Sequence, residues 1–584
     1  MKKNKKTQIA DELERMRHTL SHLLAMAVMK KYPKAKLGIG PTIEDGFYYD
    51  FELPNTLKEE ELEMFEQEMR KLIKKGLGVL GREISADEAR TTFKNQPYKL
   101  ELIYDYEKEH KKLTVYTIDD FTDLCKGGHV QNTTELDPNA FKLTRLAGAY
   151  WKGNEKNNML TRIYGVAFKS TSEIDAYIKK QEQAQKRDHR KLGKELDLFV
   201  FSELIGGGLP LFTPKGTILR DLLDNKVWKL REANGYKRVD IPHMTKKDLY
   251  EKSGHWEKFK DELLHVTTRE EHQFVLKPMN CPHHIQIFAR RPISYREMPV
   301  RYANTTKVYR DEQTGELMGL TRVRSITQDD AHIFCRVSQI NEEVEKIWDI
   351  IEEFYKQLDL DVHARLSTRD PATPEKYIGA PKKWEMAEES LRKIIKTKRG
   401  KKDPEESKGE AAFYGPKIDF NATDSLGRKW QVATIQLDMN QPERFDLTCI
   451  NEKGEKERIV MIHAAIMGSI ERLLAILIEH NAGAFPLWLA PVQVAIIPVN
   501  DKNEAYVKKT EELLLKKHIR FETDRRNESL NKKIREAELQ KIPYLLVVGD
   551  KEKKSKTVSV REREKGDRGS KKLEKFLQSL KMHE

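Results

Sequence analysis

Residues 307–334 read KVYRDEQTGELMGLTRVRSITQDDAHIF, and the polar groups in this stretch decide the fold around it. The pattern is a strand, a Gly-containing loop and a returning strand. Along it stand Arg310, Glu312, Arg322, Arg324, Gln328, Asp330 and His332. Charged side chains at alternating positions on paired strands face one side of a sheet, a face that a plain apolar core does not tolerate. An anionic ligand held by paired arginines is the natural explanation.

Around this stretch, residues 190–487 hold further strand-like runs (KRVDIP, HQFVLKP, KWQVATIQLD) between helices, with few clean βαβ repeats. A mostly antiparallel sheet with flanking helices is expected, rather than a Rossmann fold. AAFYGPKIDF and WQVATIQLD place Tyr414, Lys417, Gln431 and Gln436 on strands, and VMIHAAIMGSIERLLAIL adds His463 and Arg472. Taken singly, His463 reads as a satisfied interior histidine and Arg472 as half of a helical ion pair. In KPMNCPHHIQIF, Cys281 stands beside two histidines, but adjacent residues rarely reach one tetrahedral ion. Alone, Cys281 reads as a small buried hydrophobe. The lysine-rich KTKRGKKDPEESKGE at 396–410 reads as a solvated loop.

Toward the N-terminus, RMRHTLSHLLAMA at 15–27 belongs to a helix whose Leu13, Met16, Leu20, Leu23, Leu24, Ala27 and Val28 recur at 3.6-residue spacing until Pro33. His18 and His22 fall on the opposite face beside Arg15, so they are not obvious core histidines. HTLSH lacks the Glu of the H-E-x-x-H metalloprotease helix, which excludes that class. Helical and strand patterns alternate to residue 168, and a long charged helix with little to bury, 169–189, then reads as an interdomain connector. After residue 487, VQVAIIPVN, a helix, RFETDRR, a helix, PYLLVVGD, TVSVRER and a final helix describe a small α/β domain with a mixed sheet.

The bulk numbers agree with several domains: 584 residues, 38% hydrophobic and 34% charged, suit a multidomain globular protein and exclude a largely disordered one. No apolar run approaches the length of a membrane span, and the opening lysines lack the apolar region of a signal peptide. Four scattered cysteines argue against a disulfide scaffold, and a cytoplasmic location is expected. Residues 501–584 hold 24 basic and 16 acidic side chains, a net of +8 out of +13 for the chain. That asymmetry favours a polyanion partner, nucleic acid first.

The order PHMTKKDLYEKSGHWEKF, KPMNCPHH, YRDEQTGEL, RVRSITQDDAHIF, FYGPKIDF, IQLD and HAAIMGSIER resembles the class II aminoacyl-tRNA synthetases, and among them the threonine-specific branch, across essentially the whole chain. A long collinear set is far more specific than any one motif. The resemblance implies an α+β multidomain protein: an editing domain over 1–168, a helical linker over 169–189, a class II antiparallel-sheet catalytic domain over 190–487 and an anticodon-binding α/β domain over 488–584. It implies ATP-dependent activation of L-threonine, with Mg²⁺ accompanying ATP, and transfer to threonine tRNA. YRDE resembles motif 2, with Arg310 on the α-phosphate and substrate carboxylate and Glu312 on adenine. GSIER resembles motif 3, with Arg472 at the ATP phosphates; Arg322 and Gln431 complete the ATP set. GYKRVDIPHM, with Pro242, resembles the motif that forms the dimer interface, so a homodimer is implied.

The resemblance also gives Cys281 a role, as one of three ligands, with His332 and His463, to one Zn²⁺ per subunit. Threonine would fill the open position through its amino group and hydroxyl, with Gln328, Asp330, Tyr414, Lys417 and Gln436 around it. Valine matches the shape but offers no hydroxyl, and an apolar pocket separates the two poorly. His255 matches a residue near the tRNA terminal ribose. Serine keeps the hydroxyl, so a second, hydrolytic site is the physical remedy. His18 and His22, with Asp123, Cys125 and His129 of DLCKGGHV and Lys99 of PYKLELI, resemble the editing site shared by threonyl- and alanyl-tRNA synthetases. Glu552 and Arg561 match segments that read anticodon bases.

Two departures stand out: a small ubiquitin-like domain common ahead of the editing domain is not expected here, and Ala464 follows His463 where Arg is usual. Two rival readings are a synthetase-like tRNA-binding paralogue without activation, which an intact Arg310, Glu312 and Arg472 speak against, and a free-standing editing hydrolase, which does not need residues 190–487.

Overall fold

The computed structural model describes residues 2–400 and 403–580, with the side chains of all but residues 2–11 and Lys260. The chain forms two compact units, residues 1–182 and 183–584.

In the first unit the helix Lys2–Lys31 packs on a five-stranded sheet in which Gly46–Glu52, Met159–Ala167 and Phe141–Tyr150 are successive antiparallel neighbours. The apolar stripe behaves as its spacing requires: Met16, Leu20, Leu23, Leu24, Ala27 and Val28 join Phe47, Tyr49, Phe51, Phe65 and Ile163 in one core. The opposite face, outside the apolar stripe, is covered too: Thr19, Ser21 and His22 are buried as well. A small sheet of Val79–Ile84, Leu113–Ile118 and Phe121–Leu124 leads into the segment that covers this face, where the His22 ring meets Phe121 and His129. Helix Thr171–Arg187 buries only Ile174, in keeping with its charged sequence.

The second unit is built on an eight-stranded sheet in the order Lys237–Arg238, Val300–Tyr309, Ser325–Cys335, Val460–Ala465, Lys429–Asp438, Lys417–Thr423, Val362–Thr368, Glu405–Lys408. Every internal pairing is antiparallel, and only the two edge strands join in parallel. One face carries Ala331, Ile333, Phe420, Ile435 and Ile462 against Trp348, Ile351 and Tyr355 of helix Ile340–Lys356. Alternation then turns His332 and Asp330 to the other face.

Two expectations are corrected here. Arg310, Glu312, Arg322 and Arg324 do not alternate on paired strands: the strands end at Tyr309 and begin again at Ser325, so these four lie in the loop between them. The loop can bring its charges to one place by its own hydrogen bonds, which a pleat is not needed for. Within 396–410, Glu405–Lys408 is an edge strand, because an edge position asks for backbone pairing on one side only and tolerates an all-polar sequence.

The C-terminal part is the expected mixed sheet: Phe521–Thr523, Val494–Pro498 and Tyr544–Val548 run parallel, and Thr557–Glu562 and Gly566–Lys572 add antiparallel. Strand Gly566–Lys572 and the short helix Asp550–Ser555 are additional to the sequence pattern.

Candidate active site and a second cysteine–histidine cluster

The register of the large sheet builds the site. Tyr302 pairs with His332, His332 with His463, His463 with Gln436 and Gln436 with Lys417, so one row of side chains crosses five strands on a single face. Asp330, two residues from His332, joins the same face. Tyr414 donates its hydroxyl to Gln436, and Lys417 pairs with Asp419 at 3.2 Å. Gln431 donates to Asp419 at 2.7 Å.

Above this row, Cys281 opens the helix Cys281–Ala289. The donor atoms of Cys281, His332 and His463 lie within 4.8 Å of one another, and all three residues are buried. Each imidazole has an orienting partner. His463 Nε2 is 3.0 Å from Asp438 Oδ2, and His332 Nδ1 is 2.8 Å from His284 Nδ1. Among the described residues this leaves His463 Nδ1 and His332 Nε2 without a hydrogen bond, the arrangement found when a histidine ligates a metal with one nitrogen and anchors the other. Burial, then the charges of Asp330 and Asp438, push the Cys281 thiol well up, while burial and then His463 push His332 well down. A divalent ion relieves both strains, by holding the thiolate and the neutral imidazole, so the donor set fits zinc. Asp438 and His284 were missed from sequence; the first looked like the polar end of a strand, and the second was set aside with its neighbour His283.

The arginines expected to bind an anion converge from separate elements. Arg322 pairs with Glu312 at 2.7 Å and Glu316 at 3.0 Å, and Arg324 donates to the Glu312 carbonyl. Arg310 lies against Phe259, and its Nε is buried with no hydrogen-bond partner among the described residues. Arg472, on helix Ile470–His480, donates to Thr321 O at 3.1 Å. Desolvation in the cleft and then the like charges of Arg310 and Arg322 lower its pKa. Beside it a cavity of about 150 Å³ is lined by Gln431, Gly468, Ser469 and Arg472. Three guanidinium groups near enough to feel one another's charge, one of them with an unpaired buried nitrogen, are arranged for a polyanion.

Two further expected residues are buried as well. His255 is fully buried, with Nδ1 bonded to Ser253 Oγ at 2.8 Å and Nε2 3.6 Å from Cys281 Sγ. Burial, followed by the fields of His463 and Arg310, takes it down to about 3. Asp330 accepts from Asn280 at 3.0 Å and lies 3.7 Å from His332 Nε2. Gln328 bridges to Ser469 through the backbone.

In residues 1–182, His18, His22, Cys125 and His129 form a second group, with donor atoms within 4.8 Å of one another. Cys125 Sγ is 3.2 Å from both His18 Nε2 and His129 Nε2. At its edge Lys99 and Asp123, each about 2% exposed, pair at 2.6 Å, and Tyr49 donates to the same carboxylate at 2.5 Å. Tyr49 escaped the sequence reading because a tyrosine in GFYYDFE reads as plain strand core. Burial lowers His18, lowers His22 further, and brings His129 to about 2; it raises Cys125 to about 12. The pocket is thus neutral imidazole and thiol beside a closed ion pair.

In the C-terminal domain Glu552 caps its own helix, accepting from Gly549 N–H at 3.1 Å. Arg561 lies 3.4 Å from Glu538, and its Nε is buried without a partner among the described residues.

Comparison with known proteins agrees with this geometry. Residues 260–481 match the tRNA synthetase class II core domain (G, H, P, S and T), 493–583 match the anticodon binding domain, and 113–164 match the threonyl and alanyl tRNA synthetase second additional domain. With its antiparallel sheet and arginine-lined cleft, the chain is a class II aminoacyl-tRNA synthetase. The threonine–tRNA ligase of Gloeobacter violaceus is 47% identical over 567 residues, 96% of this chain and 90% of that protein, and that of Thermosynechococcus vestitus is 45% identical over 98% and 96%. The chain belongs to the threonine–tRNA ligase family. Among solved structures, the RNA-binding domain of threonyl-tRNA synthetase from Cryptosporidium parvum superposes with a TM-score of 0.63 at 36% identity, covering 67% of this chain and 97% of that one. Prolyl-tRNA synthetase from Giardia lamblia, at 0.53 and 17%, shares the fold.

Proposed function

We propose that the chain activates threonine with ATP, transfers it to threonine tRNA, and clears mischarged seryl-tRNA at a separate site. The observation that carries the reading is the buried Cys281, His332 and His463 group placed in one row with Gln436 and Lys417 and bordered by Asp330. Those three residues would hold a zinc ion, whose chemistry when bound is to accept the amino and hydroxyl groups of threonine as ligands. Asp330 would accept from that hydroxyl, with Gln328, Tyr414, Lys417 and Gln436 closing the pocket.

The threonine carboxylate attacks the α-phosphorus of Mg²⁺-bound ATP, and pyrophosphate leaves. Arg310 holds the α-phosphate and carboxylate, and its unpartnered Nε supports this role. Arg322, Glu312, Gln431 and Arg472 orient the nucleotide. Since charge builds on phosphate oxygens, fixed arginines lower the barrier without covalent help. In transfer, a terminal ribose hydroxyl of the tRNA attacks the adenylate carbonyl and AMP leaves; His255, kept neutral by burial, would serve as the base, its Nε2 3.6 Å from Cys281 Sγ. In editing, water attacks the seryl ester carbonyl, the acyl C–O bond breaks and serine and the tRNA ribose hydroxyl are released, with His18, His22, His129 and Cys125 forming the pocket and Lys99 and Asp123 its polar edge. Glu552 and Arg561 would read anticodon bases, with surrounding lysines on phosphates. We assign the chain to a homodimer through the segment around Pro242, and to the cytoplasm; among the described residues no helix is long and apolar enough to cross a membrane.

The test is pyrophosphate exchange across the standard amino acids. Threonine should support it, serine weakly, and valine hardly at all; exchange with valine equal to that with threonine contradicts the hydroxyl test.

A further inference from the structure

Outside both clusters, a third buried polar group joins parts of the molecule that are far apart in sequence. His189 is 3% exposed. Its Nδ1 is 2.6 Å from Glu479 Oε1, and its backbone N–H donates to the same oxygen at 3.0 Å. Its Nε2 accepts the backbone N–H of Leu320 at 3.0 Å. A ring nitrogen that accepts from an N–H carries no proton, so the proton resides on Nδ1 and is donated to Glu479. The donor atoms of Asp188, His189 and Glu479 are close enough to suggest a metal group. With both ring nitrogens already engaged, the histidine has no lone pair left for an ion.

Leu320 lies in the loop between the two central strands. Thr321 N–H donates to Met318 O at 3.0 Å, closing a tight turn in which Gly319 has φ +51°. In such a turn the N–H of the third residue, here Leu320, has no partner within the turn itself. His189 supplies it. The fit is close: a Cβ at Gly319 would stand 2.2 Å from His189 Nε2. The next residue, Thr321, gives its carbonyl to Arg472.

Helix Ile470–His480 therefore holds this turn at both ends. Its first turn reaches Thr321 directly through Arg472, and its last turn reaches Leu320 through Glu479 and His189. The strand of loop that follows carries Arg322, and the loop before it carries Glu312, which pair across the turn at 2.7 Å. We propose that His189 is a positioning residue for ATP: it fixes the 318–321 turn to the end of helix Ile470–His480, and so sets the placement of Arg322 and Glu312 before nucleotide arrives. This rests on the assignment of Arg322 and Glu312 to ATP made above. Preorganising such a loop removes an ordering cost from nucleotide binding.

The two hydrogen bonds can be separated by side-chain geometry. The amide of asparagine places a donor near the position of Nδ1 and leaves Leu320 without an acceptor; the longer glutamine places an oxygen near that of Nε2. In threonine-dependent pyrophosphate exchange, His189→Asn should raise the ATP KM about five- to tenfold, the scale of one lost hydrogen bond to a backbone group. The threonine KM and seryl-tRNA deacylation should stay at wild-type values, and His189→Gln should return the ATP KM to within about twofold. Hydrogen exchange of a peptide spanning 317–323 in the full-length protein supplies a readout independent of turnover, and should be faster in His189→Asn and near wild type in His189→Gln. Equal behaviour of the two variants in that peptide overturns the proposal. Arg322→Ala is the control: if it leaves the ATP KM unchanged, the ATP assignment fails, while the exchange comparison still decides whether His189 holds the turn.

Discussion

Cysteine and histidine meet twice in this molecule, and their neighbours differ in charge. In residues 183–584, Cys281, His332 and His463 have carboxylates behind them: Asp438 on one imidazole at 3.0 Å, Asp330 3.7 Å from the other. Burial and those two charges raise the thiol. In residues 1–182, His18, His22, Cys125 and His129 also have a carboxylate beside them, Asp123 3.7 Å from His22 Nε2, but that carboxylate is already paired at 2.6 Å with the buried ammonium of Lys99, which further lowers His22. The same donors in a negative field attract a divalent cation. Beside a carboxylate whose charge a lysine already neutralises, they are better suited to remain neutral and handle water and protons. Donor identity alone, which is all that a motif records, does not separate the two; the second set of neighbours does.

The comparison can be broken most forcefully at Cys281. Cys281→Ala should reduce threonine-dependent pyrophosphate exchange by more than about 100-fold, since loss even of a residue that only orients a metal ligand costs 10- to 100-fold. Seryl-tRNA deacylation by the same protein should be unchanged, and parallel loss of both activities would mean that the variant has lost its fold rather than one site.

The converse experiment is somewhat gentler. His18→Ala and Cys125→Ala should lower seryl-tRNA deacylation about 10²- to 10⁴-fold, the range of a lost acid–base or positioning group. Exchange with threonine should remain near wild type. Deacylation at the wild-type rate in folded variants returns these residues to a packing role, which for His22, at 2% exposure, is the only alternative left.

How far all this could be read from sequence depends on the range over which each residue acts. Periodicity found the apolar stripe of the first helix, because that stripe packs on a single sheet, but it carries no information on what covers the histidine face, the segment around Phe121 and His129 more than 90 positions away. The antiparallel sheet was legible from its strand runs. The row His332, His463, Gln436, Lys417 was not, because register between strands is a tertiary fact and each residue alone has a plain structural reading. Collinear resemblance supplied those residues; it supplied none of the groups that orient them. Asp438, His284 and Tyr49 act through another side chain and His189 through a distant backbone N–H, and nothing local in IQLD, CPHH, GFYYD or KRDHRK marks them.

A smaller effect sharpens the contrast through pH. Unfolded imidazoles gain a proton near pH 6.5, whereas burial holds His129 at about 2 and lowers His18 and His22. Below pH 6.5 the unfolded state therefore binds more protons than the folded one, and stability falls as the pH drops; above pH 6.5 these groups contribute no slope. The thermal midpoint of the wild-type protein should fall between pH 7 and pH 5, and that of His129→Asn should fall by less. An equal drop in the two proteins removes His129 from the account.

The most direct test of the difference between the clusters is zinc content per chain, measured by elemental analysis on full-length wild type, Cys281→Ala and Cys125→Ala after identical desalting. One zinc in the wild type, none in Cys281→Ala and one in Cys125→Ala is the expected result. Two zinc ions in the wild type with one lost in each variant, or one that follows Cys125, would contradict the claim that surrounding charge decides which cluster holds the metal.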